Sequence, residues 1–108
     1  YIALFPNVMI GLHIDHFYVF WLEPISVDKT REHLAMYYVG ENSANGKEFE
    51  VMRKENARFW KDVMSEDIKA IEGMQEGRGS PVYNGGNFSP VMDNPTHQFH
   101  KWVASNLI

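Results

Sequence analysis

Hydrophobic and polar positions along this chain change period near its middle. In the first forty residues they alternate. Val8, Ile10 and Leu12 share one side of a short run bounded upstream by Pro6, which predicts a strand. His16 to Leu22, HFYVFWL, is apolar on both faces. Such a strand is expected at the centre of a sheet, covered on both sides, with Pro24 ending it. Ser26-Val27-Asp28-Lys29 reads as a turn. Thr30 to Val39 is a third strand, setting Leu34, Met36 and Tyr38 against Ala35, Tyr37 and Val39. The short connections imply an antiparallel meander. Gly40 to Gly46, GENSANG, is a loop by composition.

From Lys47 to Gly77 the period becomes helical, as one long helix or two in line. At about 100° per residue, Phe49, Met52, Trp60, Val63, Met64, Ala70, Ile71 and Met74 fall on one stripe. Asp67 lies at its centre, one turn after Val63 and one turn before Ile71. A carboxylate on a buried stripe must find a partner, change its protonation state or bind a metal. A second reading stands beside this one. Ser65-Glu66-Asp67-Ile68 also fits a helix start, with Ser65 as N-cap and two acids in the first turn against the helix dipole. Asp67 then needs no ligand.

Gly77, Gly79 and Pro81 end the helical region. Gln75, Gly77, Arg78 and Ser80 read as capping and loop packing. Tyr83 to Asp93 is a Gly/Asn/Pro-rich loop. Asn94-Pro95 opens a last helix with proline at its first position, whose apolar face is Phe99, Trp102 and Val103. Three strands cannot by themselves bury both a two-sided strand and a long amphipathic helix. The economical picture is an α+β fold, a curved antiparallel sheet wrapped on the long helix. The remaining strands would come from upstream residues, making 1–108 a single partial domain.

Composition narrows the chemistry. The 108 residues suffice for one small domain. The chain opens at Tyr1, has no signal-like leader or membrane-length apolar run, and reads as an excised piece of a soluble, cytoplasmic protein. Net charge is -4 with scattered basic residues, which gives no nucleic-acid surface. The absence of cysteine excludes disulfides, thiol catalysis and a thiolate-held cluster within these residues. Aromatic residues make up 14%, which suits a packed core and an apolar ligand pocket equally. Two histidine pairs occur. His13 and His16, in HIDH, fall at a strand junction and read as a polar turn. His97 and His100, in HQFH, read as solvated or half-buried residues of the last helix. HExxH, Gly-rich phosphate-loop and GxSxG patterns are missing.

The order LFPNVMI, HFYVFWLEPISVDKT, FW…SEDIKAIEGMQEGRGSP and FHKW resembles the C-terminal part of the catalytic domain of Rieske non-haem iron ring-hydroxylating oxygenases, the large α subunit. The resemblance runs from about Leu4 to Trp102. It rests on the ordered combination of Phe5-Pro6-Asn7, the strand with Pro24, Glu66-Asp67, Gln75-x-Gly77 and Phe99-His100-x-Trp102.

That resemblance implies a helix-grip fold of the START/Bet v1 kind, with the sheet clasping the long helix. It implies a mononuclear Fe(II) held by two histidines and one carboxylate, the carboxylate falling on Asp67. The two histidines would lie upstream, and HIDH does not match them. A [2Fe-2S] Rieske cluster would sit in an upstream domain, fed by a reductase or ferredoxin. The substrates would be O2 and a small organic molecule, aromatic by the resemblance, and the full-length chain would form a trimer-based oligomer. From helix phase, Val63 and Ile71 are expected to wall the substrate pocket, followed by Phe59 and Met74. The fragment alone is expected to be inactive. Two other classes remain open: a metal-free helix-grip carrier of hydrophobic ligands, and a structural remnant in which Asp67 only starts a helix.

Overall fold

A computed structural model describes residues 1–107. Four strands precede three helices: β1 (Ile2–Leu4), β2 (Val8–Leu12), β3 (His16–Ser26), β4 (Lys29–Tyr38), α1 (Glu41–Asn45), α2 (Glu50–Arg78) and α3 (Asn94–Asn106). The strands form one antiparallel sheet in the order β1-β2-β3-β4. The meander is as the alternation predicts, and β1 is an addition too short to carry a period of its own.

Register explains which face is buried. Tyr18 pairs with Met36, Phe20 with Leu34, and His16 with Tyr38. Side chains two residues apart share a face, so these six point to one side. On that side Tyr18 and Phe20 are buried with Trp60 of α2, and Leu22, Leu34, Met36, Val63 and Met64 pack around them. The other side carries Phe17 stacked on Tyr37 at 4.9 Å and Trp21 stacked on His33 at 4.7 Å. β3 is therefore central, as its two-sided composition requires. Within this chain α2 buries only its inner face, and Phe17, Val19 and Trp21 stay half-buried.

Three local expectations need correcting. Pro24 does not end β3, which continues to Ser26 with an irregularity between Pro24 and Ser26. The Leu22 amide donates to the Asn7 carbonyl on the β2 side. Pro24, two residues on, turns its nitrogen the same way, past the end of β2, so its missing N–H breaks no ladder bond. GENSANG is not plain loop. It contains the single-turn helix α1, entered at Gly40 with φ +92°, where a side chain would be strained. Ser65 is not an N-cap. It lies in mid-helix and its hydroxyl donates to the Lys61 carbonyl, so the second reading of Ser65-Glu66-Asp67 as a helix start fails.

α2 is thus one continuous helix of 29 residues, preceded by a 3-10 turn over Lys47–Phe49. Its start is held by Arg53, whose guanidinium donates to the carbonyls of Ser43 and Gly46 at 2.8 and 2.9 Å. α3 starts at Asn94 with proline in its first turn, as predicted. It meets the β1–β2 turn through Phe5, whose ring lies 5.2 Å from Phe99 and 5.8 Å from Trp102. The arrangement is the α+β helix-grip type: an antiparallel sheet, a long helix across it and a C-terminal helix.

Candidate functional site

The stripe on α2 has two halves. Its first half, around Trp60, Val63 and Met64, packs on the sheet. From Glu66 to Gly79 every residue is exposed. Asp67 stands at the start of this second half, two turns beyond the buried Trp60. It makes no hydrogen bond and no ion pair among the described residues. Of the expected pocket residues, Val63 is half-buried against the Tyr18/Phe20/Trp60 core. Phe59, Ile71 and Met74 are 58%, 53% and 58% exposed. A shallow groove of about 230 Å³ opens beside the core, between Phe20 and Leu34 of the sheet and Met64 and Ile68 of α2. A second, of about 470 Å³, runs between Met74 and Arg78 of α2, Tyr83 and Phe88 of the following loop, and His100 of α3. Met74 lines this groove. Neither groove includes Asp67, Val63 or Ile71.

His97 is half-buried and His100 exposed on α3, as expected, whereas His16 departs from its expected role. His97 and His100 flank Phe88, with ring centroids 4.8 and 5.1 Å away. His13 and His16 do close a turn, the β2–β3 hairpin, in which the His13 amide donates to the His16 carbonyl at 2.9 Å. His16, however, is buried. Trp60 Nε1 donates to His16 Nε2 at 2.8 Å. An indole N–H can only donate, so Nε2 is the acceptor and the imidazole proton sits on Nδ1. That proton is donated to Asp15 Oδ1 at 2.7 Å. Asp15 Oδ2 accepts from the Asn56 amide at 3.2 Å. The hydrogen bond from His16, then that from Asn56, outweigh partial desolvation and hold the Asp15 carboxyl below its usual range. The His13 ring stacks on His16 at 4.9 Å and 10°, and Tyr18 packs on Trp60 at 4.5 Å.

The local pattern of HIDH, a polar turn between two strands, does not reveal this constellation. A signal was present. His16 is in phase with Tyr18, Phe20 and Leu22, and so falls on the buried face of β3.

Among the described residues, no three His, Cys, Asp or Glu side chains come together in a way that could hold a metal ion. None of the described helices is long and apolar enough to cross a membrane.

A family model described as ring hydroxylating alpha subunit (catalytic domain) matches residues 1–107. The chain belongs to this family. Membership places the chain among the ring-hydroxylating oxygenases, which are oxidoreductases, and accords with the sheet, long helix and C-terminal helix found here. No solved structure matches the chain.

Proposed function

We propose that this chain is the distal part of a ring-hydroxylating catalytic domain and contributes one ligand, the Asp67 carboxylate, to a mononuclear Fe(II) site completed by two histidines from upstream residues. The carrying observation is Asp67 itself. It is an exposed carboxylate without a partner among the described residues, on the stripe of α2 that upstream packs into the core, in a chain of the ring-hydroxylating family. The donor chemistry fits a two-histidine, one-carboxylate triad, and the donor set within this chain is incomplete. Iron held there supplies redox chemistry with dioxygen. The residues of this chain would supply an oxygen donor and part of an apolar wall.

The wall is assigned to Val63 and Ile71, one turn either side of Asp67, then to Phe59 and Met74. Supporting this, Phe59, Ile71 and Met74 present apolar surface that this chain leaves uncovered. The substrate would be a small aromatic organic molecule. Electrons would arrive through a [2Fe-2S] Rieske cluster in an upstream domain, from a reductase or ferredoxin, in a trimer-based, cytoplasmic enzyme. Family membership supports these assignments as a group.

Asp67→Ala in the full-length protein tests the ligand. Mononuclear iron and hydroxylation should both be lost while the Rieske absorption persists. Full mononuclear iron occupancy by metal analysis would remove Asp67 from the site and leave the metal-free carrier reading in its place. Val63→Phe tests the wall. The product pattern should change, alongside an overpacking cost of about 1–3 kcal/mol because Val63 also touches the core. Unchanged regiochemistry with lowered stability would assign Val63 to the core alone.

A further inference from the structure

We infer that Asp15, His16, Asn56 and Trp60 form a latch that fixes the rotation of α2 and thereby positions Asp67. The inference rests on the reading of Asp67 as an iron ligand.

Trp60 is the only buried residue of α2 among the described residues. Apolar packing holds a helix against a sheet but tolerates small rotations. A directional hydrogen bond does not, because it weakens steeply once bent. The bond from Trp60 Nε1 to His16 Nε2 is 2.8 Å long and buried. One turn earlier, Asn56 reaches Asp15 from the same side of the helix at 3.2 Å. Both contacts end on adjacent residues of one hairpin, and the Asn56 amide also lies 3.5 Å from His16 Nδ1. The Nδ1 proton of His16, held by Asp15, keeps Nε2 free to accept. Asp15 therefore sets the tautomer that the Trp60 bond requires. Stacked His13 closes the other face of the imidazole.

Asp67 is seven residues beyond Trp60, which returns to within about 20° of the same direction and about 10 Å further along the axis. The helix between them is unbroken and holds no proline. Beyond Ile68 this chain places nothing of the sheet beside α2. The direction of the Asp67 carboxylate is thus set through the rod from Trp60.

Four variants of the full-length protein test this. Trp60→Phe keeps an aromatic ring and removes the N–H. His16→Leu removes the acceptor. His16→Gln keeps an amide that can accept from Trp60 and donate to Asp15. Asp67→Ala reports on the ligand itself. The measurements are the Fe(II) dissociation constant of the mononuclear site, well below the unfolding temperature, and the exchange rate of the Trp60 indole proton by NMR. Trp60→Phe and His16→Leu should weaken Fe(II) binding by about tenfold, the effect expected of a partner that orients a ligand. His16→Gln should restore most of the affinity and keep the indole proton slowly exchanging, whereas His16→Leu should release it. Wild-type affinity in Trp60→Phe and His16→Leu, or a His16→Gln variant no better than His16→Leu, would overturn the latch. Should Trp60→Phe fail to fold, the two His16 variants carry the same comparison. If Asp67→Ala loses iron while the latch variants do not, the latch falls and the ligand stands. If Asp67→Ala retains iron, the ligand reading falls and the latch loses its function with it.

Discussion

Both nitrogens of His16 are committed, one to a donor on another element and one to the preceding side chain. That commitment reaches Asp15, whose carboxyl is held low chiefly by the His16 hydrogen bond. A carboxyl whose folded value lies below its unfolded one stabilises the fold above the ordinary aspartate range, near 3.9. The contribution is lost as pH falls through the lowered folded value. His16→Leu should therefore raise the Asp15 pKa toward the ordinary range, read by carbon NMR of its carboxyl through an acid titration. An unmoved value would shift the cause to Asn56. Glu23 follows the same sign, lowered first by the hydrogen bond to His33 at 2.7 Å and then by Arg31. At this scale the helical phase placed Asp67 in line with Val63 and Ile71, but did not reveal its exposure, which follows from where the sheet ends. The role of His16 was not legible either, because its burial depends on Trp60, 44 residues away.

At the scale of elements, two glycines make opposite demands. Gly11 sits under the ring of Tyr18, its cross-strand partner, and a Cβ there would lie 2.3 Å from the ring carbon. The ring is buried against Trp60, so Gly11→Ala should cost about 1–3 kcal/mol and lower the thermal midpoint. Gly73 lies inside α2 with nothing within 4 Å of a Cβ. Gly73→Ala should stabilise the helix by roughly 1 kcal/mol and raise the midpoint. A fall instead would mean that the proposed upstream part of the domain packs closely on that face. The continuity of α2 also belongs here. Ser65-Glu66-Asp67 satisfies the local rules of a helix start, yet the apolar contacts of Val63 and Met64 on one side of it carry the helix through. Pro24 likewise satisfies the local rule for a strand end, and the short reach of β2 removes the penalty that would have enforced it.

The whole molecule is drawn out, with extents of 55 × 29 × 26 Å and a radius of gyration of 17.4 Å. A compact chain of this length would have about 13 Å. The excess comes from α2, whose second half leaves the sheet. The core is correspondingly small, with Tyr18, Phe20 and Trp60 as its buried apolar residues. Large apolar side chains stay exposed on both ends of the chain and along α2, the surface that the proposed upstream part of the domain would cover. One carboxylate is a weak site for a divalent ion, and no cluster of donors joins it here. Calorimetric titration of these 108 residues alone should accordingly find no stoichiometric Fe(II) binding. Tight one-to-one binding would mean that His13, His16, His97 or His100 completes a site with a different geometry.

What the amino-acid order determined by itself was periodic or local. The meander, the long helix and the last helix with its N-terminal proline all follow from spacing that either repeats every two or 3.6 residues or fits a short turn. Tertiary structure decided what depends on partners distant in sequence. It decided that β3 runs past Pro24, because β2 stops short of it. It decided that α2 passes through Ser65 unbroken, and that its stripe is core up to Met64 and open surface after Glu66, because the sheet is shorter than the helix. It also decided that His16 is a buried acceptor rather than a polar turn residue. A hydrogen bond between β3 and α2 leaves no mark on the period of either.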